Sequence, residues 1–307
     1  MSRIHEALKK AAGERQAQRT DSATHGVDLS VDQLAEAVLP DARALAEEPH
    51  VGLRGIGLQV QDYQNFVKKC AHPVWRMNPQ LSVFAQGESP TVGAERFRTL
   101  RSRLFQVATV RPLKRIVVTS SVPAEGKTFI TANLAQSFAR QPGCRVLLID
   151  ADLRASRLHL PFGAPETPGL TDYLKEGVDE TGVIQVGGEG NLCFIPGGSY
   201  ASNPSELLYS ARMKLLLDKM STMFDWILLD SPPALAVHDA SLLADVCDGV
   251  LFVVQAGSTD FEVAEKASSE FREKNLLGIV LNRVERSESH GDYYYGYYGE
   301  RAATART

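Results

Sequence analysis

A lysine and a threonine follow a glycine in segment 121–128, which reads SVPAEGKT. Apart from the serine at its first position, the segment fits the pattern GxxxxGK[ST], whose backbone cradles phosphate groups. Gly126 lets the backbone approach a phosphate, Lys127 adds a positive charge, and Thr128 offers a hydroxyl to magnesium. A capped turn that contains Gly-Lys-Thr by chance is the alternative. The strand predicted before the segment and the helix predicted after it favour a nucleotide site.

Three aspartates lie at or just beyond the ends of predicted apolar strands. Asp150 ends the sequence RVLLID, Asp152 follows two residues later, and Asp230 ends the sequence ILLD. Because the carboxyl ends of parallel strands meet at one edge of a sheet, we expect these acids to lie beside the phosphates. Each could instead cap a helix or a turn. Three carboxylates beside a triphosphate repel it unless a metal lies between them, and the oxygen ligands favour Mg²⁺.

A cluster of tyrosines lies close to the C-terminus. It holds five of the nine tyrosines in the chain, namely Tyr293, Tyr294, Tyr295, Tyr297 and Tyr298. The segment is rich in glycine and poor in aliphatic residues, so it cannot form a core of its own and is predicted to be mobile. An aromatic patch that packs on the domain or binds a partner is the alternative. Mobile phenols beside an ATP site are candidate phosphate acceptors.

The elements that position these residues alternate regularly from residue 115 onward. The apolar runs predict strands at 115–120, 145–150, 226–229, 250–254 and 278–281. Helical patterns lie between them at 127–139, 170–175, 204–220, 240–246 and 261–274. Continuous apolar strands alternating with helices indicate a parallel sheet that is covered on both faces. We therefore predict an α/β fold with a doubly wound, mostly parallel sheet, of the P-loop NTPase type.

The chain is predicted to have three parts. Residues 1–81 read as a poorly packed arm with an amphipathic helix in its first 16 residues and an acidic linker. That helix is either frayed and without a role, or a docking helix for a protein or a membrane surface. Residues 82–285 form the nucleotide-binding domain, and residues 286–307 form the flexible tail that carries the tyrosines.

Composition and charge exclude several classes of protein. A formal net charge of -4 is too balanced for a general nucleic-acid binder. The four cysteines are widely spaced without a CxxC pair, which argues against a zinc ribbon or a dense disulfide framework and favours buried thiols. The chain has no apolar run of 18 residues and its N-terminus lacks the core of a signal peptide, so a cytoplasmic location is expected.

Taken together, the motifs resemble those of a known family. The segments SVPAEGKT, VLLIDADLR and ILLDSPP resemble the Walker A, A' and B motifs of the bacterial tyrosine kinases, P-loop autokinases that control exopolysaccharide synthesis. Glu95, Arg98 and Arg101 are similar to the ExxRxxR oligomerisation motif of that family, and the tyrosine cluster is similar to its C-terminal cluster. The resemblance extends over residues 92–298.

The resemblance implies ATP and Mg²⁺ as cofactors and a role for each site residue. Thr128, Asp152 and Asp230 would hold the metal, and Asp150 would orient or deprotonate the attacking tyrosine. Arg154 would neutralise charge during transfer or pair with one of the acids, and Lys127 would act on the phosphates. The implied nucleotide-binding residues are Ser121, Pro123, Ala124, Glu125, Gly126, Lys127, Thr128 and Phe129.

The resemblance also implies partners. Transfer is expected between subunits of a homo-oligomer such as a ring, because Glu95, Arg98 and Arg101 recur along one side of a helix. A membrane chain-length or copolymerase protein would activate the kinase and recruit it to the inner face of the membrane, so that it regulates polymerisation, export or chain length. Added phosphates would make the neutral tail strongly negative and weaken the assembly.

Two other classes remain open at this point. One is a non-kinase P-loop ATPase switch of the partitioning or division-site type. Those ATPases carry a second lysine near the start of the loop, where this chain has Val122. The other is an interaction protein in which bound ATP is structural and the tail is a docking surface. The set of metal-facing acids argues against it.

Overall fold

The computed structural model describes residues 60–85, 91–188 and 191–284. Its helices are α1 (Val60–Val67), α2 (Val92–Val110), α3 (Lys127–Ala139), α4 (Leu170–Leu174), α5 (Glu180–Val183), α6 (Pro204–Leu208), α7 (Ala211–Met223), α8 (Asp239–Ala244) and α9 (Phe261–Ser269). Its strands are β1 (Arg115–Ser120), β2 (Val146–Asp150), β3 (Gln185–Val186), β4 (Leu192–Ile195), β5 (Trp226–Asp230), β6 (Gly249–Gln255) and β7 (Leu276–Asn282). The predicted N-terminal helix and tyrosine tail lie outside the described residues.

The seven strands form one sheet in the order β3-β4-β2-β5-β1-β6-β7. All neighbouring strands run parallel except β3 and β4, which are antiparallel. The predicted α/β fold with a mostly parallel sheet is confirmed. Since β1, β2 and β5 are neighbours that point the same way, their C-terminal ends meet at one edge.

Both faces of the sheet carry a hydrophobic core. Alternate residues of β2 belong to different clusters: Leu147 and Ile149 face one core, and Val146 and Leu148 face the other. In the second core the rings of Phe138 and Trp226 stack with their centroids 4.5 Å apart. This packing of α3 on β5 fixes the helix that follows the phosphate loop.

The structure refines several predicted elements. The single helix predicted at 204–220 is two helices, because Ser210 lies between them and its side chain accepts a hydrogen bond from Met213 N. The helix predicted at 261–274 ends at Ser269. Strands β3 and β4 were not predicted, because they have only two and four residues and give too short a pattern.

Part of the predicted arm packs against the domain. Tyr63 and Val67 are four residues apart on α1, and both are buried in the first core with Cys70. The backbone of Ala71 pairs with β3 through hydrogen bonds to Ile184 and Val186. The interpretation of residues 60–81 as poorly packed is therefore wrong, although the division of the chain at residue 82 remains a prediction.

No helix in the described ranges is long and apolar enough to cross a membrane. All four cysteines are free thiols, and Cys70, Cys144 and Cys193 are buried. Burial raises the pKa of each of these three thiols to about 12, so they stay protonated near neutral pH. They act as small apolar side chains in the core, as the sequence predicts.

Candidate active site

The loop between β1 and α3 adopts a phosphate-binding conformation. Ala124 and Gly126 both have positive φ, at 68° and 95°. Gly126 is the N-cap of α3 and no side chain caps the helix, so its first-turn N–H groups are open to an anion. The positive φ favours glycine at residue 126, and a Cβ there would also force the amide of Asn282 to move.

The structure brings the predicted phosphate and metal residues together. Lys127 Nζ donates a hydrogen bond to Asp152 Oδ2 at 3.0 Å. Thr128 Oγ1 donates to Asp230 Oδ2 at 2.6 Å, and Thr131 Oγ1 donates to Asp230 Oδ1 at 3.2 Å. The ends of β2 and β5 and the first turn of α3 thus meet at one place, as the positions of the acids predict.

The electrostatics of this cluster follow from burial. Burial raises the pKa of Asp150 to about 6, even though hydrogen bonds from Ser156 and Leu158 favour its charged form. Burial also raises the pKa of Asp230 to about 7, against the attraction of Lys127. For Lys127, burial disfavours the ammonium, but Asp230, Asp152 and Asp150 outweigh it and raise its pKa. The lysine is therefore charged at neutral pH.

The donor set fits a magnesium ion. If all three aspartates were ionised, Lys127 alone would not balance their charge, so a bound cation would favour their charged forms. Within the described part of the chain, no three His, Cys, Asp or Glu side chains are placed to enclose a metal. Magnesium does not need such a cage, because it is usually held by one or two carboxylates, phosphate oxygens and water. Thr128 and Asp230 supply hard oxygen ligands of that kind.

Asp150 organises the turn that follows β2. Its Oδ2 accepts hydrogen bonds from Ser156 Oγ at 2.7 Å and Leu158 N at 3.0 Å. Its Oδ1 accepts one from Asp152 N at 3.2 Å, and the side chain is fully buried. Of the two acids at the end of β2, it is Asp152, just beyond the strand, that forms a hydrogen bond with Lys127.

Arg154 pairs with an acid that the sequence analysis did not select. Its Nε donates to Asp239 Oδ2 at 2.8 Å, and its Nη2 donates to Ser205 Oγ at 2.9 Å. Ser205 also donates to Asp239 Oδ1, at 2.5 Å. Asp239 is fully buried at the start of α8. In the sequence it is simply an acid in the first turn of a helix, a common position for acids, so nothing marked it as a partner of Arg154. The alternative that Arg154 pairs with one of the strand-end acids is therefore not what the structure shows, and its role in neutralising charge during transfer stays a prediction.

Two of the predicted nucleotide-binding residues direct their side chains into the protein. The Glu125 carboxylate is bound by Val122, Gln255 and Thr259, and the ring of Phe129 packs 6.0 Å from that of Phe97. Both residues therefore have only backbone groups to offer a phosphate. Pro123 and Ala124 are exposed at the tip of the loop, whereas Ser121 is fully buried.

The predicted oligomerisation residues lie on α2, which packs beside α3. Glu95 forms an ion pair with Arg98 one turn away. Arg101 Nη1 donates a hydrogen bond to the carbonyl of Ser137 near the end of α3, at 2.8 Å. The five clustered tyrosines lie outside the described residues.

Comparison with known proteins agrees with this geometry. The model of the CobQ/CobB/MinD/ParA nucleotide binding domain matches residues 116–298, which is more than half of the chain. The chain is 38% identical over 224 residues to "Tyrosine-protein kinase YwqD" of Bacillus subtilis (strain 168), covering 72% of this chain and 93% of that relative.

Two solved structures are similar to the fold. The kinase domain of Escherichia coli tyrosine kinase ETK superposes with a TM-score of 0.63 at 31% identity, over 68% of this chain and 82% of that one. The chimerical protein CapA2B2 superposes with the same TM-score at 27% identity, over 74% and 100% of the two chains. With the loop, the paired acids and a close relative matched over nearly its whole length, the chain belongs to the bacterial tyrosine kinases, a family of protein-tyrosine kinases built on this nucleotide-binding domain.

Proposed function

We propose that this kinase is an ATP-dependent autokinase that phosphorylates the tyrosines of its own C-terminal cluster. The observation that supports this proposal is the convergence of Lys127, Thr128 and the three acids at the open N-terminus of α3. ATP would bind with its phosphates on the loop backbone and on Lys127. Thr128, Asp152 and Asp230 would hold Mg²⁺, which neutralises charge on the transferring phosphoryl group.

In the proposed transfer, a tyrosine oxygen forms a bond to the γ-phosphorus as the bond to the ADP oxygen breaks. The tyrosine proton passes to a base, and we assign that role to Asp150, whose pKa burial raises to about 6. To accept the proton, Asp150 must exchange the hydroxyl of Ser156 for that of the tyrosine. Arg154 would reach the developing charge only by leaving Asp239.

The acceptors in this proposal are Tyr293, Tyr294, Tyr295, Tyr297 and Tyr298 of a neighbouring subunit. Glu95, Arg98 and Arg101 would form the interface of the homo-oligomer. Two contacts support a link between that interface and the site, since Phe97 packs on Phe129 and Arg101 binds the end of α3. A displacement of α2 would therefore reach the helix that follows the phosphate loop.

The cellular role that we propose rests on the family resemblance. The kinase would regulate polymerisation, export or chain length of an exopolysaccharide. A membrane chain-length or copolymerase protein would activate it from the inner face of the cell membrane. Phosphates on the tail would add about -1.5 to -2 charges each and drive the subunits apart.

Mass spectrometry of the full chain after incubation with ATP and Mg²⁺ tests the proposal. We expect added phosphates on the clustered tyrosines, none in Lys127→Met, and none at those positions when all five are changed to Phe. Mixing active chain that lacks the five tyrosines with Lys127→Met chain tests transfer between subunits. Hydrolysis of ATP without a gain in mass, even with a membrane activator present, would favour an ATPase switch instead.

A further inference from the structure

We propose that Glu125 is a positioning residue, which holds the phosphate loop in its nucleotide-binding shape through a clasp with Thr259 and the end of β6. The Glu125 side chain is 1% exposed. Its Oε2 accepts a hydrogen bond from Val122 N at 2.8 Å, inside the loop. Its Oε1 accepts from Gln255 N at 3.2 Å and from Thr259 Oγ1 at 2.5 Å, outside the loop. One carboxylate thus ties the loop to the sheet.

The loop needs such a restraint because its backbone is strained. Ala124 carries a side chain at a φ of 68°, in the left-handed region that disfavours residues other than glycine. Gly126 lies in the same region two residues later. Conformations of this kind persist when surrounding contacts over-determine them. Glu125 lies between the two residues, so its side chain is placed to supply those contacts.

The main chain of Glu125 is held by the neighbouring strand, β7. Asn282, the last residue of β7, donates from Nδ2 to the carbonyl oxygen of Glu125 at 2.8 Å. The ends of β6 and β7 therefore grip one residue of the loop, by its side chain and by its carbonyl. This arrangement leaves the N–H groups at the start of α3 directed to the phosphate site.

The negative charge of Glu125 suits a residue that positions the loop, and it does not suit one that contacts the phosphates directly. A carboxylate exposed to a triphosphate would repel it, whereas the Glu125 side chain is buried and bound by three donors. Hydrogen bonds to an ionised acceptor are about twice as strong as neutral ones. An amide in this place would direct its own N–H groups at a donor, so Gln cannot replace Glu without losing part of the clasp.

Calorimetric titration of the full chain with ADP and Mg²⁺ tests the proposal. We expect Glu125→Gln to bind ADP about tenfold more weakly, because a charge-assisted contact is lost. Thr259→Val should weaken binding about fivefold, and Thr259→Ser, which keeps the hydroxyl, should restore it. The double variant Glu125→Gln, Thr259→Val should bind less weakly than the product of the two single losses, because the two side chains belong to one hydrogen-bonded group and their effects are coupled.

A second readout separates positioning from a general loss of structure. The Tm of each variant without nucleotide should stay within about 3 °C of the parent chain. In phosphorylation assays Glu125→Gln should raise KM for ATP more than it lowers kcat.

An ADP affinity of Glu125→Gln within twofold of the parent value overturns the proposal. If that variant does not fold, equal ADP affinities of Thr259→Val and Thr259→Ser overturn it. The ADP titration is independent of tyrosine transfer, so it fails separately from the autokinase proposal.

Discussion

Two segments leave the same edge of the sheet and are held in place by different contacts. The phosphate loop (residues 121–126) follows β1 and enters α3 at once. The β2 segment (residues 151–169) follows β2 and reaches the next helix only at Leu170. In the phosphate loop the side chains hold the backbone in place. In the β2 segment Asp152 also accepts a hydrogen bond from a nearby backbone N–H, that of Ala155. Unlike the loop, this segment binds side chains on several other elements: Asp152 binds Lys127, and Arg154 binds Asp239 and Ser205.

This difference separates the roles of the two segments. The phosphate loop presents backbone N–H groups and two side chains, Lys127 and Thr128, to the candidate nucleotide and metal site. The β2 segment joins β2 to α6 and α8 through Arg154, Ser205 and Asp239. We therefore expect changes on the loop side to reduce phosphoryl transfer with the fold intact, and changes beyond Asp152 to reduce stability first.

The largest effect is expected for Asp230→Asn, beside the phosphate loop. An amide can still accept the hydrogen bond of Thr128, but it removes the charge that would bind the metal. We expect kcat for tyrosine phosphorylation to fall about a hundredfold to a thousandfold, with normal circular dichroism. Asp225→Asn, at the opposite end of β5, is the matched control and should keep the parent kcat. Equal losses in both variants would contradict the prediction.

The next effect tests the β2 segment. Arg154→Gln leaves the fully buried Asp239 without its cation, and we expect it to lower the free energy of unfolding by about 3 kcal/mol. Asp239→Asn should cost only about 1 kcal/mol, because Arg154 is 39% exposed and water can solvate it. Urea unfolding measures both values. A larger loss for Asp239→Asn than for Arg154→Gln would show that the comparison of the segments is mistaken.

A smaller effect concerns pH. Burial raises the pKa of Asp150 to about 6 and that of Asp230 to about 7, from an ordinary value of 3.8. Between about pH 4 and pH 7 the folded chain therefore binds more protons than the unfolded chain. Its free energy of unfolding falls as the pH rises through this range, because the two buried carboxyls have to ionise. We expect the Tm of the nucleotide-free chain to be about 5 °C lower at pH 8 than at pH 5. Asp230→Asn should reduce this difference, and an unchanged difference argues against it.

The sequence predicted those parts of the fold and site that depend on short local patterns. Lys127 and Thr128 follow a glycine at the start of a helix, and Asp150 and Asp230 end apolar strands, so topology alone brings them together. The partner of Arg154 was not predictable in this way, because Asp239 lies 85 residues further along the chain. Its position depends on how α8 packs, which no local spacing records.

The same limit explains the other misses. The clasp of Glu125 depends on Thr259, which is 134 residues away. In the pattern GxxxxGK[ST] this glutamate occupies one of the variable positions, so the pattern does not single it out. Helix α1 was missed because eight residues are too few to establish a helical period, and its burial comes from contacts with the distant Cys193 and Phe224. Tertiary contacts decided these cases.

The smallest effect is expected for Ser121→Ala, at the one position where the loop departs from its pattern. A glycine is common there, yet Ser121 is not among the described residues with positive φ, so its backbone accepts a side chain without strain. Its hydroxyl is buried with no hydrogen-bond partner in the described part of the chain. Removing an unpaired buried hydroxyl should change the free energy of unfolding by less than about 0.5 kcal/mol and leave the ADP affinity within about twofold. Thermal unfolding and ADP titration measure both quantities. A large loss of ADP affinity would mean that the hydroxyl itself contacts the nucleotide, and that the loop side of the comparison relies on more than backbone groups, Lys127 and Thr128.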